Sequence, residues 1–157
     1  MTLFLLNLLL ALVWAMAVGR FTVPQLLLGY VLGFIVLATL EPLWGTAQYS
    51  GRILRGLRFI AFFFVALLLS SLQIAYDSLT PRLRATPRII AVPLDAATET
   101  EITLLANFLT LTPGTLSLDI SADRRTLYVH AMYARDRQTF LTEVKRGLEA
   151  RLLEVLR

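Results

Sequence analysis

The chain of 157 residues contains no cysteine, so disulfide staples, thiolate metal sites and cysteine nucleophiles are excluded at the outset. Charge is scarce as well: 17% of residues are charged against 57% apolar, and the mean hydropathy is +0.68. Disordered chains and ordinary soluble domains are not this greasy. The little charge present is uneven. Residues 1–80 hold four arginines and only two acids, Glu41 and Asp77, whereas residues 81–157 hold eleven basic and nine acidic side chains. The net charge of +4 is small, and the arginines stand at the ends of apolar runs, which fits membrane flanks and speaks against a nucleic-acid partner.

The apolar runs predict a membrane protein. Residues 3–18 and 23–40 read as a transmembrane hairpin broken by Gly19-Arg20-Phe21-Thr22, and residues 59–79 as a third transmembrane helix about 31 Å long. The first run is short, about 24 Å, for a hydrocarbon core of roughly 30 Å. No Lys or Arg precedes Arg20, so the run lacks the basic start of a secretory leader and is expected to be retained. Between the second and third runs, residues 41–58 form a basic connector. Its Arg52, Arg55 and Arg58 stand three apart, either on one face of a short amphipathic helix in the headgroups or in a basic loop.

Residues 1–80 are thus the expected membrane region and residues 81–157 an extramembrane α+β domain, entered through Arg82, Arg84 and Arg88. Ile89 to Leu94 reads as a strand. Thr98 with Glu101 three residues on is a capping box opening a helix to Leu111. After Pro113-Gly114, Leu116, Leu118 and Ile120 alternate with Ser117, Asp119 and Ser121 as a half-buried strand, and Thr126 to Met132 completes a hairpin. From Asp136 onward Phe140, Val144, Leu148, Leu152 and Leu156 recur every four residues along an amphipathic helix. The order is β-α-β-β-α, and at about 70 residues its core is marginal alone, so support from the membrane surface or a partner is expected.

Chemistry has few places to reside. An ion path through the helices needs ionisable groups at membrane depth. Glu41 is the one candidate of that kind, at the boundary of an apolar run, and Asp77 at the end of another reads as a solvated or subunit-facing residue. Asn7 within the first run is expected to face protein, Gly29 and Gly33 form a G-x-x-x-G face for close helix approach, and Ser70, Ser71 and Gln73 are polar glue between helices. His130 has no nucleophile or orienting acid patterned around it, and Asp119 and Asp123 read as turn formers rather than a metal pair. No catalytic residue, metal site or cofactor is expected.

Several stretches are family-like. Asn7 to Trp14, Phe21-Thr22 followed by Leu28 to Gly33, the run Thr110-Leu111-Thr112-Pro113-Gly114-Thr115-Leu116-Ser117-Leu118-Asp119, and Thr126 to His130 together resemble the E-type subunit of the Mrp-type multisubunit Na+/H+ (cation/proton) antiporter. The resemblance covers essentially the whole chain and implies an accessory, non-catalytic subunit of a large bacterial inner-membrane complex, with its other subunits and the bilayer as partners. It also implies that partner subunits, related to those of respiratory complex I, handle sodium and protons, and it carries no catalytic residue. Positive charge places the C-terminal domain in the cytoplasm by a narrow margin if there are three crossings, since Arg20, Arg82, Arg84 and Arg88 then oppose Arg52, Arg55 and Arg58. The alternatives are a subunit whose Glu41 lines a cation path at an interface, and a membrane-tethered binding module.

Overall fold

The computed structural model describes residues 2–41, 49–80, 85–134 and 136–157. Three helices come first: α1 (Thr2–Val18), α2 (Val23–Leu40) and α3 (Tyr49–Leu79). Then follow β1 (Arg88–Pro93), α4 (Glu99–Leu111), β2 (Thr115–Ile120), β3 (Thr126–Ala131), α5 (Arg137–Thr142), a π-helical segment (Glu143–Glu149) and α6 (Ala150–Leu156). By contact the chain forms two compact units, Met1–Gly56 and Leu57–Arg157, with the division inside α3.

In the first unit α1 and α2 pack along their lengths, turned by Gly19 at φ +69°, where a side chain would be strained. Thr22 is extended and Pro24 lies in the first turn of α2, where its missing N–H is harmless. The seam on α1 is a stripe of small and polar residues four apart: Asn7, Ala11 and Ala15 are fully or almost fully buried. At 18 and 31 residues, α2 and α3 are long and apolar enough to cross a bilayer, and α1 is slightly shorter.

The start of α3 departs from expectation. The helix begins about ten residues before the apolar run, so Arg52, Arg55 and Arg58 ride exposed on its opening turns; the rest of the connector, 42–48, lies outside the described residues, as do Arg82 and Arg84. The cause is remote. Glu41, which ends α2, turns its carboxylate onto the N–H groups of Tyr49 and Ser50 and thereby occupies donors that a helix start leaves unpaired.

In the second unit the sheet order is β1-β3-β2, antiparallel throughout, with Ile90 opposite Val129 and Val92 opposite Leu127. One face carries the core: Ile90, Val92, Leu127, Val129 and Ala131 pack under Leu105 and Leu109 of α4 and Val144, Leu148 and Leu152 of the last helix. This core also contains Phe59 and Phe63 of α3, whose rings meet the edge of Phe108 at centroid distances of 5.0 and 4.7 Å. The marginal domain therefore draws its missing apolar surface from α3. One side of α3 is covered by the chain itself, and on the other Ile60, Phe64, Val65, Leu68, Leu69 and Leu72 stand exposed.

β2 also reverses an expectation. Leu116 and Leu118 point away from the helices and are about half exposed, while Thr115 and Ser117 face α4. The reason is the end of α4. Thr115 Oγ1 donates to the carbonyls of Leu109 and Thr112, and Ser117 Oγ donates to the Ala106 carbonyl at 2.9 Å, satisfying acceptors that the helix terminus leaves open. A bulge between Ser117 and Asp119 then shifts the register, leaving Ile120 opposite Leu127.

The final helix explains its own four-residue repeat. On a regular helix of 3.6 residues per turn, positions four apart drift by about 40° per repeat. The π segment, with the Ala150 N–H bonded to the Lys145 carbonyl five residues back, unwinds the helix and keeps Val144, Leu148 and Leu152 buried together. Leu156, beyond it, has drifted outward.

The capping box at α4 forms as the sequence predicts: Thr98 accepts from the Glu101 N–H at 3.2 Å and Glu101 accepts from the Thr98 N–H at 3.2 Å. Arg157 Nε adds an ion pair to Glu101 at 3.0 Å. The Arg157 guanidinium, then the Ala97 and Thr98 N–H groups, hold the Glu101 carboxyl at about 2, below its ordinary 4.5. A lowered carboxyl pKa stabilises the fold fully above the ordinary value, and that contribution disappears as pH falls from about 4.5 towards about 2. The melting temperature of the protein is therefore expected to fall with acidification through this window, and Glu101→Gln to flatten that part of the profile, as read by circular dichroism.

Candidate functional site

In the first unit Asn7, Tyr30 and Glu41 meet Tyr49 at the start of α3, while Trp14 and Gln25 pair separately beside the α1–α2 turn. Asn7 Nδ2 donates to the Tyr49 hydroxyl at 3.2 Å, Tyr30 and Tyr49 hydroxyls stand 3.4 Å apart, and Trp14 Nε1 donates to Gln25 Oε1 at 3.2 Å. Phe34 and Phe4 pack against the two tyrosines. Gly29 and Gly33 face α1: a Cβ on Gly29 would lie 2.9 Å from Trp14 Cβ and 3.0 Å from the Ala11 backbone. A Cβ on Gly33 would collide with Asn7 Oδ1, an oxygen that is buried and accepts no hydrogen bond among the described residues.

Glu41 is 1% exposed, and both its carboxylate oxygens are engaged at the start of α3. Tyr30 and Tyr49 complete this cluster, and the sequence reading does not single them out. Tyr30 sits inside the G-x-x-x-G face, and the polar head of a tyrosine on an apolar helix is the feature that marks it.

In the second unit Ser70 donates back to the Ala66 carbonyl, Ser71 is exposed, and Gln73 lies at the rim of a cavity beside Asp77. His130 is half-buried opposite Ile89 and Leu116 on the uncovered face of the sheet. Asp123 accepts from the Ser121 hydroxyl and the Arg125 N–H, closing the β2–β3 turn, where Arg124 takes φ +57°. Asp119 accepts from the neighbouring Ile120 N–H. Among the described residues no three His, Asp or Glu side chains stand close enough to hold a metal ion.

A buried acid that no sequence pattern marks is Glu149, with no exposed surface. Its Oε1 accepts from the Asp95 and Ala96 N–H groups at 2.7 and 3.0 Å, and its Oε2 meets Lys145 Nζ at 2.6 Å. Lys145 also pairs with Asp95 at 2.6 Å; burial alone would lower its pKa, but the two carboxylates outweigh that and raise it. The group ties the loop before α4 to the π segment, a structural task.

The chain is similar to known proteins along almost its whole length. The family model described as "Na+/H+ ion antiporter subunit" matches residues 7–155. The E-type subunit of the Na(+)/H(+) antiporter of Alkalihalophilus pseudofirmus is 34% identical over 96% of each chain, and that of Bacillus subtilis is 31% identical over 98% of this chain and 97% of its own. Among solved structures, a chain of the Mrp complex from Dietzia sp. DQ12-45-1b matches with a TM-score of 0.52 at 30% identity, covering 66% of this chain and 97% of that one. A chain of the archaeal membrane-bound sulfane sulfur reductase shares the fold across 97% of this chain and 98% of its own, with a TM-score of 0.57 at 21% identity. With the model match spanning almost its full length, the chain belongs to the family of E-type Na+/H+ antiporter subunits.

Proposed function

We propose that this chain is an accessory, non-catalytic subunit of a multisubunit sodium(cation)/proton antiporter, needed for assembly or stability of the complex, with the transported ions handled by partner subunits. The observation that carries the reading is how its membrane-side polar groups are used. Asn7, Tyr30, Tyr49 and Glu41 hold helices to one another, and Glu41, the acid nearest membrane depth, commits both oxygens to helix N–H groups. Mild-detergent purification of the tagged chain should bring the other antiporter subunits with it, and the chain alone in vesicles should dissipate neither a sodium nor a pH gradient. Transport by the lone protein overturns the proposal.

Glu41→Gln keeps an acceptor for the α3 N–H groups while removing the charge. Sodium/proton exchange by the assembled complex should stay within about twofold of wild type, because the change costs at most about the 1 kcal/mol of stability of one helix-start cap and touches no ion path. Loss of exchange in a normally assembled complex would instead make Glu41 part of a cation path. A detachable binding module fits less well, because residues 81–157 lack Phe59 and Phe63 of their own core.

For placement in the bacterial cell membrane we infer two crossings, α1 and α2, instead of the expected three. An open sheet with free edges does not sit in hydrocarbon, and α3 carries that sheet along Phe59 to Asp77. Its exposed apolar side is left for the bilayer surface or a larger subunit. Two crossings also turn a nearly balanced charge distribution into a clear one: Arg52, Arg55 and Arg58 follow α2 on one side and Arg20 stands alone on the other. The C-terminal unit is then cytoplasmic. A reporter active only in the cytoplasm should be active when fused after Arg157 and when fused after Leu40; activity at one of these positions alone restores the third crossing.

A further inference from the structure

The end of α3, the turn around Tyr133 and the first turns of the last helix border an open cavity of about 460 Å³, whose walls include Gln73, Tyr76, Asp77, Tyr133, Asp136 and Glu143. Three of these are acids, and none of the ion pairs among the described residues involves them. Asp136 uses Oδ2 to cap the helix through Thr139, and Arg88 acts on it from a distance. Asp77 is different. It is 93% buried, at 7% exposure, its carboxyl is hydrogen-bonded by the Tyr133 hydroxyl, and its Oδ2 is shielded from solvent with no donor among the described residues. Burial, then Asp77, push the Tyr133 phenol above its ordinary range, so it remains a donor. An unpaired, buried carboxylate oxygen is costly unless something completes it.

We propose that this acidic cavity receives an arginine side chain from a neighbouring subunit, whose guanidinium pairs with Asp77 and Glu143. The inference rests on the accessory role proposed above. Charge complementarity selects a cation, and size selects its kind: the volume is more than ten times the roughly 30 Å³ of one water, which suits a side-chain head with its hydration and not a single bare ion. Among the described residues no three acids gather closely enough to ligate a metal. A planar guanidinium can bond carboxylate oxygens in pairs and lie on the rings of Tyr76 and Tyr133 that line the cavity, which an ammonium does less well.

The test uses the assembled complex in cells that express all of its subunits. Asp77→Asn and Glu143→Gln should each reduce retention of this chain during mild-detergent purification by about tenfold or more, as expected when one member of a desolvated charge pair is lost. A photo-crosslinking residue at Gln73, on the cavity rim, should join a partner subunit within a few residues of an arginine, and replacing that arginine by Lys should reproduce the loss. Should Asp77→Asn fail to fold, Glu143→Gln and the crosslink decide the matter. Wild-type retention by both neutralised variants, crosslinks to lipid alone, or retention that follows sodium over potassium at constant ionic strength overturns the proposal. The wild-type chain purifying without any antiporter subunit would instead overturn the accessory role itself.

Discussion

Phe63→Ala is expected to destabilise the Leu57–Arg157 unit by about 3–5 kcal/mol, the range for deleting a buried aromatic ring. The Phe63 ring is 8% exposed, lies nearly parallel to Phe59 at 6.4 Å and meets Phe108 edge to face at 4.7 Å. Each such aromatic contact adds about 0.5–1.5 kcal/mol beyond area burial. Because whole domains are stable by only about 5–15 kcal/mol, this one ring from a segment of membrane-type composition carries a large share. Phe64→Ala, one residue on and 66% exposed, should change stability by about 0.5 kcal/mol or less in detergent. A chain starting at Pro81 lacks both Phe59 and Phe63 and should show no cooperative melt. If Phe63→Ala and Phe64→Ala prove equal, or the shortened chain melts sharply, α3 does not belong to the core.

Glu149→Ala should cost about 3–5 kcal/mol, lowering the melting temperature by roughly 10–20 °C for a unit of this size. Three donors lose their acceptor at once: the Asp95 and Ala96 N–H groups and the Lys145 ammonium. Lys145 retains Asp95 and some contact with water, so the lower end of that range applies if its side chain swings outward. Glu149→Gln preserves an acceptor for the backbone and should recover roughly half of the loss. A melting temperature within about 2 °C of wild type for Glu149→Ala would show that water replaces the carboxylate at that site.

Much of this architecture is legible from periodicity. The first two helices end where Gly19, Pro24 and the polar residues after Leu40 punctuate the apolar runs, and the β-α-β-β-α order follows from alternation, the capping box and Pro113-Gly114. What escapes is set by contacts distant in the chain. The start of α3 depends on Glu41 reaching across to Tyr49, which no local pattern encodes. Alternation in β2 states that two faces differ but not which one turns inward; the carbonyls at the end of α4 decide it for Thr115 and Ser117. Lys145 and Glu149 look like an exposed pair one helical turn apart, and only the π segment and the loop at Asp95 make the acid a buried acceptor. Among the site candidates, the glycine face is visible because close packing has a spacing. The cavity around Asp77 is not, since its walls come from residues more than fifty positions apart.

α3 runs from Tyr49 to Leu79 without a break, yet its first turns belong to one compact body and the remainder to the other. A cut at the Gly56–Leu57 boundary would leave Phe59 and Phe63 with the sheet, but it would have to sever the hydrogen-bonded turns of an unbroken helix, a site that proteases reach far less readily than a loop.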